Sequence, residues 1–256
     1  MEHTEKKQTP STPVDFTNKK PGMNVGVAII IAGIIIAGAV YFSKSGGAKT
    51  AGSKTIVQEL GIKPAEFKAC FDEKRYDAKV KADIASAERA TAHIPIDQGR
   101  GTPYSIAVGK NGTKLEIAGA YPIESVKSML DEMLAGTAKS QANIAIDPVT
   151  ETDHYFGSKD AEIVIIEYSD LECPYCARFH TTMHQIVEDY GGKVAWVYRH
   201  LPLESIHPNA YNKALAAECI ASLGNNDKYW KYIDDIFEKM APKPPVFDPL
   251  TGETAE

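Results

Sequence analysis

Two cysteines three residues apart, Cys173 and Cys176, are the side chains of this sequence best placed to do chemistry. Pro174 and Tyr175 stand between them, and Ile163–Ile166, a continuous apolar run, precedes them. Such a run fits a strand buried on both faces. A helical pattern follows to about Tyr190, where Gly191-Gly192 stops it. A strand that delivers Cys-x-x-Cys to the mouth of a helix sets the first sulfur among unpaired backbone N–H groups at the positive end of the helix dipole. That position favours the thiolate, the nucleophile of disulfide exchange. The second cysteine lies one turn behind and can resolve a mixed disulfide. Cys173 is therefore the candidate nucleophile and Cys176 the candidate resolving thiol, with Pro174 suited to the first helical turn. Glu167, read as the end of the strand, is either a proton relay to the Cys176 sulfur or an ordinary hydrogen-bonded glutamate. Burial is costly for a carboxylate unless it is neutralised or used.

Zinc is the main competing chemistry, because Cys173, Cys176, His180 and His184 read as C-x2-C-x3-H-x3-H. On one continuous helix those ligands spread over about 16 Å and cannot converge on a tetrahedral ion. No metal site and no cofactor is expected.

The 256 residues allow one to two domains. Lys+Arg 28 against Asp+Glu 34 gives a net charge of −6, which argues against a nucleic-acid binder relying on a basic face. A mean hydropathy of −0.26 excludes a polytopic membrane protein but leaves room for one span. Val25–Phe42 is that span: eighteen residues without a charge, the lower limit for crossing a bilayer. Lysines flank it on both sides, and the weak bias places the N-terminus in the cytoplasm. The expected order is a cytoplasmic segment 1–22, an anchor 23–43 and a flexible stalk 44–55, followed by an extracytoplasmic body. Disulfides persist in that compartment. Within the body, Pro64 starts a helix around Cys70, and Asp77 caps the next. Asn111-Gly112 turns a hairpin, and Ile123–Leu134 is an amphipathic helix ended by Gly136. Residues 137–160 read as a polar linker, 161–240 as the catalytic half, and 241–256 as an irregular proline-rich tail.

Glu167–Cys176 with Phe179-His180, Tyr198–Leu203, His207-Pro208 and the Ala-Leu-Ala-Ala-Glu-Cys stretch ending at Cys219 together resemble the DsbA-like disulfide oxidoreductases of the thioredoxin superfamily. The resemblance implies an α/β, thioredoxin-like fold with a helical insertion. It also departs from the family in order. Gly101-Thr102-Pro103, the hairpin and its helix, together 56–136, precede the catalytic half, where the family places them last. The chain thus reads as a circular permutant behind a single transmembrane helix. The resemblance implies that Pro103 is a cis-proline facing the Cys173–Cys176 pair. It further implies that Thr102, Pro103, Pro174 and Tyr175 contact substrate. Cys70 and Cys219, each in a predicted helix of the insertion amid apolar neighbours, are expected to form a structural disulfide, with two separate buried thiols as the alternative. The implied activity is a membrane-anchored, extracytoplasmic thiol–disulfide oxidoreductase donating disulfides to exported proteins. A quinone-linked membrane partner would reoxidise it. The alternatives are a reductase or isomerase using the same pair, or a peptide-binding module without turnover.

Overall fold

The computed structural model describes residues 55–95, 98–141 and 143–240, together with the backbone of two short strands at 246–247 and 254–255. The apolar run 25–42, its flanks and most of the stalk lie outside the described residues. No helix among the described residues is long and apolar enough to cross a membrane.

A short helix α1 (Ile56–Glu59) leads to α2 (Pro64–Asp72), which Pro64 opens at a position where no N–H is needed. Helix α3 (Asp77–Ala90) follows. Asp77 is its first residue, and Tyr76, not Asp77, occupies the cap. Strands β1 (Tyr104–Gly109) and β2 (Lys114–Ala118) form an antiparallel hairpin, turned at Gly112 with φ +85°. Helix α4 (Ile123–Leu134) buries Val126, Leu130 and Met133, one stripe at helical spacing.

Strand β4 (Ile163–Ser169) is the centre of the sheet. It pairs antiparallel with β1 and parallel with β5 (Val194–His200), so Ile163–Tyr168 of β4 lie between neighbours on both sides. Helix α5 (Pro174–Asp189) starts just after β4, and α6 (Ala210–Leu223) and α7 (Asn226–Met240) follow β5. Helix α3 packs on one face of the sheet, where Ala87 and Ala90 meet Tyr104, Ile106, Ile166, Tyr168 and Val197. Helices α4, α5 and α7 cover the other face through Leu130, Phe179, Met183, Ile233 and Phe237, against Ile165 and Trp196. Side chains alternate across a strand, so β4 must be apolar on both faces, and its unbroken Ile-Val-Ile-Ile run follows from that position. Cys70 of α2 and Cys219 of α6 are disulfide-bonded, S–S 2.01 Å.

Besides the cap at Tyr76, three expectations are corrected. Glu167 is not at the end of its strand: Tyr168 and Ser169 continue the pairing with β5. Residues 137–160 are more than a linker, because they contain β3 (His154–Phe156), an antiparallel edge strand on β5 that completes the order β2-β1-β4-β5-β3. The tail is not wholly irregular either, since β6 (Val246–Phe247) and β7 (Thr254–Ala255) pair antiparallel. Strands of two and three residues are too short to show an alternating pattern in sequence.

Buried Arg199 of β5 fastens 147–153 to the sheet. Its Nε and Nη2 donate to the two carboxylate oxygens of Asp153 at 2.8 and 3.0 Å, and it also donates to the carbonyls of Asp147 and Pro148. Its Nη1 donates to Ser86 Oγ and Tyr168 Oη, both at 3.2 Å, joining α3 and β4 to the same group. The outer edge of β3 is closed by α7: Trp230 Nε1 and Asn226 Nδ2 donate to the Tyr155 carbonyl at 2.8 and 2.7 Å. Arg199 and Asp153 side chains are each only 4% exposed. Removing one partner strands the other's charge, so Arg199→Met is expected to lower unfolding free energy by about 3–5 kcal/mol. Urea unfolding of the two proteins measures this, and a loss below about 1 kcal/mol contradicts the fastening role.

Candidate redox site

Because β1 runs antiparallel to β4, the start of β1 lies beside the end of β4. Thr102-Pro103 enters β1 there, and the Cys-Pro-Tyr-Cys loop leaves β4 there. The Thr102–Pro103 peptide bond is cis, and the Cys173 thiol donates to the Thr102 carbonyl at 3.4 Å. Cys173 caps α5 from an extended backbone, and Pro174 is the first helical residue. Cys173 and Cys176 are both free and buried, at 5% and 0% exposure. Tyr175 points outward, 58% exposed, with the Arg178 guanidinium stacked over its ring. A groove of about 410 Å³ adjoins Thr102 and Pro103, lined also by Ile94, Gly101, Glu116 and Gly119.

The two sulfurs have opposite electrostatics. A hydrogen bond from Cys176, with further donors at Thr102 and at the backbone N–H groups of Tyr175 and Cys176, lowers the Cys173 pKa to about 5, against the effect of burial. Burial pushes the Cys176 thiol well above its ordinary value, and Cys173 and Glu167 push it further. Burial also raises Glu167 to about 8. One acidic thiol, one resistant thiol and one carboxylic acid that holds its proton at neutral pH are thus grouped in one site. The acidic neighbours are held elsewhere: Asp170 accepts from Leu203 N–H and His207 Nδ1, and Glu172 pairs with Lys213 at 2.9 Å.

Both Glu167 carboxyl oxygens lie buried with no hydrogen-bond partner, as do Ser105 Oγ, Ser169 Oγ, Trp196 Nε1 and Tyr198 Oη. Ser105 and Tyr198 are the direct cross-strand neighbours of Glu167 on either side, so this polar group shares one sheet face. Buried polar groups without a direct partner are rare in folded proteins, and here Ser169 and Trp196 stand near enough to Glu167 to favour its ionised form against burial. The sequence offers Glu167 alone of this group; Ser105 and Tyr198 join it only through strand register. The four ligands considered for zinc separate: the cysteines lie at the helix mouth, while His180 and His184 gather with Asp234 of α7. Cys70 and Cys219 lie away from the thiol pair, on α2 and α6.

The sheet, its flanking helices and the Cys-Pro-Tyr-Cys loop define a thioredoxin-like α/β domain. A family profile described as thioredoxin matches residues 149–244. Among curated relatives, the Na(+)/H(+) antiporter NhaA 1 of Mycolicibacterium vanbaalenii is 36% identical over 88 residues, 34% of this chain and 14% of that protein. NhaA 3 of Salinispora tropica is 37% identical over 91 residues, 36% of this chain and 13% of that protein. The chain therefore spans about one seventh of the length of these relatives. Among solved structures, Pseudomonas aeruginosa DsbA2 is 32% identical, covering 36% of this chain and 50% of that one, with a TM-score of 0.33.

Two measurements test the electrostatics. Ultraviolet thiolate absorbance of the reduced protein is expected to titrate with a midpoint near pH 5, and a midpoint near the ordinary thiol value of 9.0 overturns the acidic assignment of Cys173. In the oxidised protein the cysteines do not titrate, which isolates Glu167. Its pKa is raised from 4.5 to about 8 on folding, so the folded state holds a proton that the unfolded state releases between those values. Its contribution to stability is full below pH 4.5 and is lost as pH rises through 8, at no more than about 1.4 kcal/mol per pH unit. Glu167→Gln should flatten that decline in urea unfolding measured from pH 5 to 8.

Proposed function

We propose that this protein is a DsbA-like thiol–disulfide oxidoreductase that donates the Cys173–Cys176 disulfide to exported proteins carrying free thiols. The observation that carries the reading is the Thr102 carbonyl 3.4 Å from a Cys173 sulfur whose pKa lies near 5. The carbonyl is a backbone acceptor for an extended peptide, and a stable Cys173 thiolate is a good leaving group. A substrate thiolate attacks Cys173 Sγ, the Cys173–Cys176 bond breaks, and Cys176 takes the electron pair. Its high proton affinity calls for a proton, and Glu167 beside it is the group able to deliver one. A second substrate thiolate then attacks the mixed disulfide. The substrate leaves oxidised by two electrons, and Cys173 leaves as the thiolate. The Thr102–Pro103 bend, Pro174 and exposed Tyr175 border the path of the incoming peptide.

The proposal includes attachment through the apolar run 25–42, an extracytoplasmic catalytic body, and reoxidation by a quinone-linked membrane partner. It also includes a circularly permuted order. Its support is the hairpin β1–β2, which precedes β4 in the chain yet flanks it in the sheet. The antiport named for the curated relatives is not part of the reading, since the match covers 14% or less of each of the two described above.

The test is reactivation of a reduced, disulfide-requiring substrate by the oxidised protein. Wild type is expected to restore activity stoichiometrically, and Cys173→Ser to abolish transfer. Cys176→Ser, incubated with the disulfide-bonded form of the substrate, should accumulate a mixed disulfide as the Cys173 thiolate attacks that bond and no resolving thiol releases it, visible on non-reducing gels. Transfer that survives Cys173→Ser removes the assignment. Carbonate extraction of membranes tests the anchor: release of the full chain into the wash contradicts it.

A further inference from the structure

His180, His184 and Asp234 take no part in the exchange chemistry above, yet their placement is specific. His180 and His184 lie four apart on α5 and so share one helix face, and Asp234 faces them from α7. His180 Nε2 and His184 Nε2 approach the same Asp234 Oδ1 at 2.7 and 2.9 Å, and the two Nε2 atoms are 3.1 Å from each other. A single carboxylate oxygen and two ring nitrogens thus form a triangle whose three lone pairs can converge on one point. In a tetrahedral zinc site with bonds of about 2.0–2.1 Å, ligand atoms stand about 3.3 Å apart, so the triangle needs to widen by only a few tenths of an ångström.

The surroundings fit the same purpose. The His180 ring is set against Trp196 and Phe237, and the His184 ring against Phe156, Trp196 and Trp230, which limits rotation of both imidazoles. The His180 side chain is 8% exposed, His184 30% and Asp234 43%, so the triangle is closed on the protein side and open to solvent on the other. An ion can enter there and keep water as a further ligand.

We propose that His180, His184 and Asp234 bind one divalent transition-metal ion of the zinc type, joining the helix that carries the thiols to the helix that closes the domain. Two imidazoles and one carboxylate suit such an ion better than calcium or magnesium, which prefer oxygen ligands throughout.

The experiment uses the full chain, free of any histidine tag, stripped with chelator and fully oxidised so that Cys173 and Cys176 cannot act as ligands. Titration with zinc is expected to show one saturable equivalent per chain and a rise in melting temperature. Cobalt should give the visible bands of a nitrogen- and oxygen-ligated ion. His184→Ala and Asp234→Asn should each weaken uptake by more than about a hundredfold, beyond what loss of an outer partner explains, with circular dichroism unchanged. As a check independent of folding, zinc should shift the ring nitrogens of two of the seven histidines in labelled wild type, His180 and His184. Absence of saturable uptake in wild type, undiminished uptake in folded variants, or shifts at other histidines overturns the site.

Discussion

The antiparallel register of β1 on β4 is the constraint on which the rest depends. Tyr104 opposite Tyr168 and Gly109 opposite Ile163 set the hairpin so that Thr102 falls level with the loop leaving Ser169. The same register puts Ser105 beside Glu167. A slip of one residue would turn Ser105 to the other face and direct Ile106 at the carboxyl group. The site is thus assembled by main-chain pairing between segments some sixty residues apart, and side-chain packing of α5 over the result holds the thiols in place.

On that frame, neighbouring groups acquire different proton affinities from location alone. Cys173 sits at a helix start with donors around it, and its thiolate is favoured. Cys176, one turn deeper, has burial and the neighbouring Cys173 thiolate against ionisation. Glu167 is fully enclosed, and burial keeps it protonated at neutral pH. Environment, not residue type, separates the two cysteines, as expected where a pair must split nucleophile and leaving group between identical side chains.

Features with a local physical cause were legible in the sequence. Cys-Pro-Tyr-Cys at a helix start, Asn111-Gly112 at a turn and the apolar face Val126, Met129, Leu130, Met133, of which Met129 is only partly buried, each declare themselves within a few residues. What stayed hidden depends on distant partners. Three-residue β3 has no period to detect, and its stability comes from Trp230 and Asn226 on another helix. The segment 147–153 is polar and looks like a connector, because nothing nearby reveals that buried Arg199 will claim Asp153. Glu167 was visible as a candidate, but Ser105 and Tyr198 beside it were not, since cross-strand neighbours are assigned by register. His180 and His184 were weighed with the wrong companions: helix geometry correctly separates them from the cysteines, while Asp234 joins them only in three dimensions.

The bond between Cys70 and Cys219 encloses the other two cysteines in sequence, first with last around the inner pair. Synthesis therefore presents Cys173 and then Cys176 to a waiting Cys70 before its true partner exists. Pairing in order of emergence would join Cys70 to Cys173 and leave Cys176 for Cys219, consuming the reactive sulfurs. Nested connectivity of this kind makes maturation a sorting problem among four thiols. Cys70 and Cys219 come within bonding reach only where α6 lies against α2, so the folded arrangement, and not the order of the cysteines in the chain, specifies the native pair.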